Sequence, residues 1–299
     1  MIKNFFNEQN IDYQEDISLK KYNTYRIDTI CKYLIYPKEE KELIMILKEL
    51  KKEKIKYLIL GNGSNVIFSM EYYDGAIIKL DKFNNVEYSS DNKVTVGAGY
   101  SLIKLATEVI NKGLSGLEFA AAIPGTVGAS TAMNAGAYNS SMSDVVKEVK
   151  VINSDLNIEI MNSKDLAYEY RDSFLKKHPE YIVLSTTFEL TKGDVDEMKN
   201  KIEERRSKRI SSQPLNMPNA GSVFRNPEGM YAGELIEKSN LKGYSINDAQ
   251  ISNKHANFIV NKGNAKGMDI IELINKVKKE IKKNYNVELK LEQDRKSVV

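Results

Sequence analysis

Leu60-Gly61-Asn62-Gly63-Ser64-Asn65-Val66-Ile67-Phe68 is the stretch on which the fold class turns. Tyr57-Leu58-Ile59-Leu60 is a buried-strand run, so both glycines fall in the loop after a strand. Two glycines let backbone approach a phosphate closely, and successive N–H groups there can form an anion nest. A dinucleotide turn of the doubly wound α/β kind also needs a third glycine and an immediate helix. Here Val66 takes the third place, and Val66-Ile67-Phe68 is β-branched and aromatic. The chain continues as strand, which excludes a Rossmann turn. An anion cradle and a tight connection between strands both remain open on these residues alone.

The flanking segments set the context of this loop. Apolar runs predict further strands at 33–36, 76–80, 85–89, 93–97, 146–152, 157–162, 181–190, 256–260 and 286–291, with a turn at Asn153-Ser154. Residues 38–54 place Leu43, Ile44, Ile46, Leu47 and Leu50 on one helical stripe. Residues 267–284 do the same with Ile270, Ile271, Leu273, Ile274, Val277 and Ile281. Helices are also expected at 101–113, at 194–210 and near 231–238. Antiparallel-looking runs of strands mixed with helices predict an α+β fold. Residues 1–20 read as a helix or arm, and the best domain boundary lies near 191–212.

Bulk composition narrows the class. A chain of 299 residues can bury a large core and form two or three domains. The net charge of +3, from 44 basic and 41 acidic residues, is too small to mark a nucleic-acid footprint. The single cysteine, Cys31, excludes internal disulfides, and two histidines, His178 and His255, argue against a zinc site; no metal is expected. No signal-peptide or membrane-span run is legible, so a cytoplasmic protein is expected.

Other constellations could carry chemistry. Ile123-Pro124-Gly125-Thr126-Val127-Gly128-Ala129-Ser130 is not a Walker loop, since no Gly-Lys-Ser/Thr closes it. Its small residues suit either close helix packing or a ring system and diphosphate lying against backbone. Two such loops in one chain favour a nucleotide cofactor. Arg171, in Tyr170-Arg171-Asp172-Ser173, is either an exposed partner of an acidic neighbour or a bidentate grip on a carboxylate. Ala220-Gly221-Ser222-Val223-Phe224-Arg225-Asn226-Pro227 is either a turn before a short buried strand or a platform for Ser222 as a proton donor. The basic run Arg205 to Arg209 alternates with Glu203 and Glu204 like a solvated helix face, with an anionic small molecule as the second reading. His255 stands just before a predicted strand, where a lone histidine is more often structural.

These segments, in this order, resemble the UDP-N-acetylenolpyruvoylglucosamine reductases (UDP-N-acetylmuramate dehydrogenases). The resemblance runs from Leu19 to Glu292. It rests on YNTYRI at 22–27, LGNGSN at 60–65, EFAAAIPGTVGAS at 118–130, MNAGAY at 133–138, YRDS at 170–173, GSVFRNP at 221–227, AGELIE at 232–237 and KHANFIVNKG at 254–263. The spacing from YRDS to GSVFRNP resembles the compact second type of the family. The resemblance implies a two-lobed FAD-binding domain of the vanillyl-alcohol-oxidase type at 21–191, behind an N-terminal arm at 1–20. It further implies a C-terminal α+β substrate-binding domain at 192–293.

By the same resemblance, FAD lies against Gly61, Asn62, Gly63, Ser64 and Asn65, and against Ile123, Pro124, Gly125, Thr126, Val127, Gly128 and Ala129. NADPH reduces the flavin, which reduces the enolpyruvyl group of UDP-N-acetylglucosamine enolpyruvate in peptidoglycan precursor synthesis. Ser222 is then the proton donor, and Arg171 and Glu292 polarise the enolpyruvyl carboxylate. Arg209, Asn226, Lys254 and His255 are the expected substrate contacts. A monomer with no nucleic-acid or membrane partner is expected.

The chain departs from the family pattern in three places. Asp28-Thr29 and Asn247-Asp248 each stand where the family commonly has Gly-Gly. The family usually ends Glu-Val-Arg/Lys and then an apolar-Gly finish, whereas this chain ends Glu292-Gln293-Asp294-Arg295-Lys296-Ser297-Val298-Val299. Asp-Arg-Lys-Ser-Val-Val is what GAT CGG AAG AGC GTC GTG encodes, followed by TAG, an in-frame reading of a common sequencing-library adapter. Residues 294–299 are therefore expected to be a non-native tail.

Two rival functions stay open. One is an FAD-dependent sugar or alcohol oxidase on the same scaffold; many of those tether flavin through an N-terminal-half histidine, and none precedes His178 here. The other is a flavin-free UDP-sugar- or RNA-binding protein using Arg205 to Arg209, which a flavin spectrum would separate.

Overall fold

The computed structural model of the chain describes residues 2–296. Packing divides it into two compact units. The first runs up to Glu15 and includes Tyr33–Gly61 and Gly75–Arg206; the second holds Asp16–Lys32, Asn62–Asp74 and the chain from Ser207 onward. These packing units are not contiguous in sequence, unlike a division at 191/192. The chain crosses from one to the other within the strands Tyr13–Ser18, Ile30–Ile35 and Tyr72–Ile78, and again between Gly61 and Asn62.

The first unit is built on a five-stranded antiparallel sheet. Its order is Ile158–Asn162, Val146–Ile152, Ile182–Glu189, Lys93–Gly97 and Val86–Tyr88. The loop between its first two neighbours turns on Asn153, whose Oδ1 accepts from the N–H groups of Asp155 and Asn157 at 3.1 and 3.0 Å. Helix Glu40–Lys52 buries Leu43, Ile46, Leu47 and Leu50, the i, i+3, i+4, i+7 stripe legible in the sequence. Helix Leu102–Asn111 is capped by Ser101, whose side chain accepts from Lys104 N–H. The N-terminal segment forms helix Ile2–Glu8, and Phe6 is fully buried with its ring 4.7 Å from that of Tyr13. It is part of the core because an aromatic of that size stabilises the fold by about 1.5–3 kcal/mol when buried.

The alanine- and glycine-rich stretch contains a helix that periodicity does not reveal, Val127–Met133. Its residues are too small to write an apolar stripe. They instead allow close approach: a Cβ on Gly128 would stand 2.7 Å from Ala98 Cβ, and the Thr131 and Thr186 hydroxyls are 2.9 Å apart.

The second unit packs helices Ala232–Lys238 and Gly267–Tyr285 with a three-stranded antiparallel sheet, Ser245–Ile246, Ala249–Ile251 and Ile259–Asn261. All six residues of the predicted 267–284 stripe are buried. The strand expected at 256–260 begins only at Ile259, because His255 to Phe258 closes a turn, Phe258 N–H donating to His255 O at 3.0 Å. Asn247, at the second of the two Gly-Gly departures, takes φ 48° in the hairpin Ile246 to Ala249 and bonds Asp269 at 2.8 Å. Asparagine tolerates that left-handed conformation better than most residues. At the other departure, Thr29 donates to Met70 O at 2.7 Å and Asp28 accepts from Ser18 at 2.6 Å.

The strand expected at 286–291 does not form. Asn286 ends the preceding helix at φ 56°, and the following residues make one antiparallel bridge, Phe224 to Leu291. Asp294–Lys296 then pairs in parallel with Val66–Phe68. The remainder of the expected non-native tail, 297–299, lies outside the described residues. Among the described residues no helix is long and apolar enough to cross a membrane.

Candidate active site

In the first unit the two glycine-rich loops touch. A Cβ on Gly61 would stand 2.8 Å from Thr126 Oγ1 and 3.0 Å from Ala129 Cβ, so a larger residue would part them. The Gly61 carbonyl accepts from Lys79 Nζ at 2.6 Å. Lys79 is only 5% exposed and lies 3.3 Å from Asp81. Holding that carbonyl turns the peptide plane so that the next N–H faces the opposite way. Sequence reasoning passed over Lys79; the available signal was a single cation inside the apolar run 76–80.

The second loop is partly committed. Gly125 N–H donates to Ile123 O at 2.8 Å, Val127 N–H to Tyr100 O at 2.8 Å and Gly128 N–H to Ala98 O at 2.9 Å. Val127 and Gly128 therefore spend their amides on packing. The amides of Thr126 and Ala129 have no acceptor among the described residues, and these are what the loop can offer an anion.

Arg171 sits at φ 55° in a two-residue turn closed by Glu169 and Asp172, whose backbones exchange bonds of 3.0 and 3.1 Å. A non-glycine residue held there stores of order 1–3 kcal/mol. The turn and the serine after it are fastened to residues 132–136: Asn134 Nδ2 donates to Glu169 O at 2.8 Å, Ser173 Oγ to Ala132 O at 2.6 Å, and the Arg171 guanidinium to Gly136 O. Asp172 lies 3.8 Å from Lys177. Nearby, the hydroxyl of Tyr168 is buried with no hydrogen-bond partner among the described residues, and burial pushes its pKa far up. Arg205, from the basic run, stacks over Tyr138 at 4.6 Å.

In the second unit the loop Asn62 to Asn65 packs on the YNTYRI segment. Gly63 takes φ 62°, and a Cβ there would stand 2.2 Å from Tyr22 O. Only glycine fits both constraints. The amides of Gly63 and Ser64 have no acceptor among the described residues. Asn65 Nδ2 instead donates to Glu292 O at 3.2 Å, and Asn65 O accepts from Asp294 N–H at 2.8 Å.

Ser222 and Glu292 come together in this unit. Glu292 N–H donates to Val223 O at 2.9 Å, and Val223 N–H donates to Asn257 O at 2.9 Å. Asn257 also grips Phe224 at both backbone groups, at 3.0 and 2.8 Å. The segment after the serine is thus a buried strand-like piece held on both sides. The Ser222 hydroxyl has no partner among the described residues, and Gly221, at φ 76°, leaves an open face where a Cβ would meet nothing within 4 Å.

The expected substrate contacts each make a bond within the protein. Arg209 Nε donates to Gln213 at 2.7 Å, and Lys254 Nζ to Ile210 O at 2.5 Å. Asn226 Oδ1 accepts from Ala232 N–H at 3.1 Å at the start of helix Ala232–Lys238. His255 Nδ1 accepts from Asn257 N–H at 3.2 Å, and burial holds its pKa below the usual 6.5. That acceptor role is compatible only with a neutral ring at Nδ1.

Each loop by itself has the features a flavin dinucleotide needs: in the first unit, unpartnered amides at Thr126 and Ala129 beside the bulk-free backbone of Gly61; in the second, unpartnered amides at Gly63 and Ser64. Residues 31–159 match an FAD binding domain, and residues 213–295 match the UDP-N-acetylenolpyruvoylglucosamine reductase C-terminal domain. The chain is 42% identical over 279 residues to UDP-N-acetylenolpyruvoylglucosamine reductase of Anoxybacillus flavithermus, covering 93% of this chain and 92% of that relative. The Clostridium perfringens relative of the same name is 37% identical over 292 residues, covering 98% and 95%. The crystal structure of UDP-N-acetylenolpyruvylglucosamine reductase from Thermus caldophilus matches with a TM-score of 0.81 at 31% identity, covering 95% of this chain and 98% of that one. Glucooligosaccharide oxidase from Acremonium strictum, at 13% identity and a TM-score of 0.51 over 97% of this chain and 60% of that one, shares the fold alone.

Fold and loops define an FAD-dependent oxidoreductase, an α+β protein with an FAD-binding domain. Within that class the matches are specific. The chain belongs to the UDP-N-acetylenolpyruvoylglucosamine reductase family.

Proposed function

We propose that the protein reduces the enolpyruvyl group of UDP-N-acetylglucosamine enolpyruvate to give UDP-N-acetylmuramate, with NADPH as reductant, in peptidoglycan precursor synthesis. The observation that carries this reading is the Ser222 segment, clamped beside Glu292 with its hydroxyl uncommitted, in a chain that shares nearly its whole length with reductases of this name. FAD, held by the Gly61 to Asn65 and Ile123 to Ala129 loops, supplies hydride transfer when bound.

Hydride arriving at the terminal carbon of the enol ether drives negative charge towards the carboxylate. Arg171 stabilises that charge as a preset cation, because its turn is already locked before substrate arrives. Glu292 assists as a hydrogen-bonding acid at the same group. Ser222 Oγ gives its proton to the other carbon and regains one from solvent, so hydride and proton together saturate the double bond. A serine is a weak acid, and it serves here because the carbon it meets is strongly basic; such a donor contributes about 10²–10⁴-fold. Arg209, Asn226, Lys254 and His255 border the nucleotide-sugar end, and the enzyme works as a cytoplasmic monomer.

Ser222→Ala is expected to leave NADPH reduction of the flavin intact and to slow the substrate half-reaction by about 10²-fold or more. Stopped-flow absorbance of the flavin reads both halves. Equal slowing of both would assign Ser222 a structural role, and a wild-type enzyme that consumes no NADPH on adding substrate would sink the function.

A further inference from the structure

We propose that Gln293 and Tyr25 form a buried clamp that positions Ser222 for proton transfer. Gln293 is 3% exposed and Tyr25 is fully buried. Gln293 Nε2 donates to Ala220 O at 3.0 Å and to Gly221 O at 3.1 Å, and its Oε1 accepts from Tyr25 OH at 3.0 Å. The amide thereby uses both N–H donors and its oxygen, the arrangement that makes a buried glutamine tolerable. Burial pushes the Tyr25 phenol far above its ordinary 10, so it remains a donor and the amide cannot flip without breaking all three bonds. Tyr25 is itself pinned, since its carbonyl accepts from Asn261 Nδ2 at 2.8 Å.

The geometry matters because of which carbonyl is held. Gly221 C=O belongs to the same planar peptide as the Ser222 N–H, so fixing one end fixes the orientation of Ser222 Cα. Gly221 at φ 76° would otherwise be the softest joint in the segment. One residue further on, Glu292 N–H holds Val223 O at 2.9 Å. Consecutive residues 292 and 293 therefore grip the backbone on both sides of Ser222, and Glu292 is placed by the same grip.

The inference rests on the proton-donor reading of Ser222, and its test separates the two. Gln293→Leu keeps the bulk and removes all three bonds; Tyr25→Phe removes one and keeps the ring. Hydrogen exchange by mass spectrometry should show faster exchange in peptides covering 220–224 in Gln293→Leu, with helix Gly267–Tyr285 unchanged. In the FAD-loaded enzyme, reduction by NADPH and KM should stay within about twofold, while the substrate half-reaction slows about five- to tenfold in Gln293→Leu and less in Tyr25→Phe. Unchanged exchange at 220–224, or both half-reactions slowing together, overturns the clamp. Local exchange that rises as expected in a chain whose wild type consumes no substrate overturns the proton-donor reading instead.

Discussion

His255 shows how a single side chain links stability at the site to pH. Burial, and then Lys242, hold its pKa below 6.5, with Glu237 acting in the opposite direction. The unfolded chain takes a proton near 6.5, while the folded chain refuses it until lower pH. Stability is therefore complete above 6.5 and falls as pH drops beneath it. Protonation also removes the Nδ1 acceptor for Asn257, which holds Val223 and Phe224. The wild type should lose Tm more steeply than His255→Asn as pH falls below 6.5; parallel melting curves would show that His255 does not titrate differently on folding. The role of this residue was only half legible. A lone histidine before a strand reads as structural, but which backbone it braces depends on Asn257 and Ser222 being neighbours in space.

At the scale of elements, glycines that look alike in the sequence do different work. Gly63 has φ 62° and carbonyl backbone 2.2 Å from where a Cβ would be; Gly221 has φ 76° and open space. Gly63→Ala must therefore displace the YNTYRI segment and should cost more than ~3 kcal/mol, with loss of flavin. Gly221→Ala meets only backbone strain and should cost about 1–2 kcal/mol. Urea unfolding and flavin content check both, and equal costs would mean that the close packing at Gly63 relaxes freely. The long helices were legible because Leu43 to Leu50 and Ile270 to Ile281 repeat at the helical period. Helix Val127–Met133 was not, because alanine, glycine, serine and threonine carry no amphipathic signal and its position is set by contact with Ala98 and Thr186.

For the whole molecule, the end of the described chain bears on stability. Asp294–Lys296 pairs with Val66–Phe68 by backbone bonds, with Ser69 N–H and Oγ both donating to Lys296 O at 3.1 and 2.9 Å. Such pairing is nearly indifferent to side chains, so it is compatible with our proposal that 294–299 is not native; a genomic gene still encoding DRKSVV would overturn that proposal. Truncation after Gln293 should lower Tm by about 2–8 °C through loss of this pairing, read by differential scanning fluorimetry, and an unchanged Tm would mean that the pairing contributes nothing. The order of motifs along the chain was enough to identify the family, the flavin and the α+β class, because each motif records a local demand for small, left-handed or apolar residues. Tertiary structure alone decided the rest. It joined Gly61 to Thr126, brought Lys79 to a loop carbonyl, set 16–32 and 62–74 with the C-terminal segment, and bound Gln293 across to Gly221. Those contacts link residues far apart in sequence, and their energy lies in packing and hydrogen-bond geometry that no local pattern encodes.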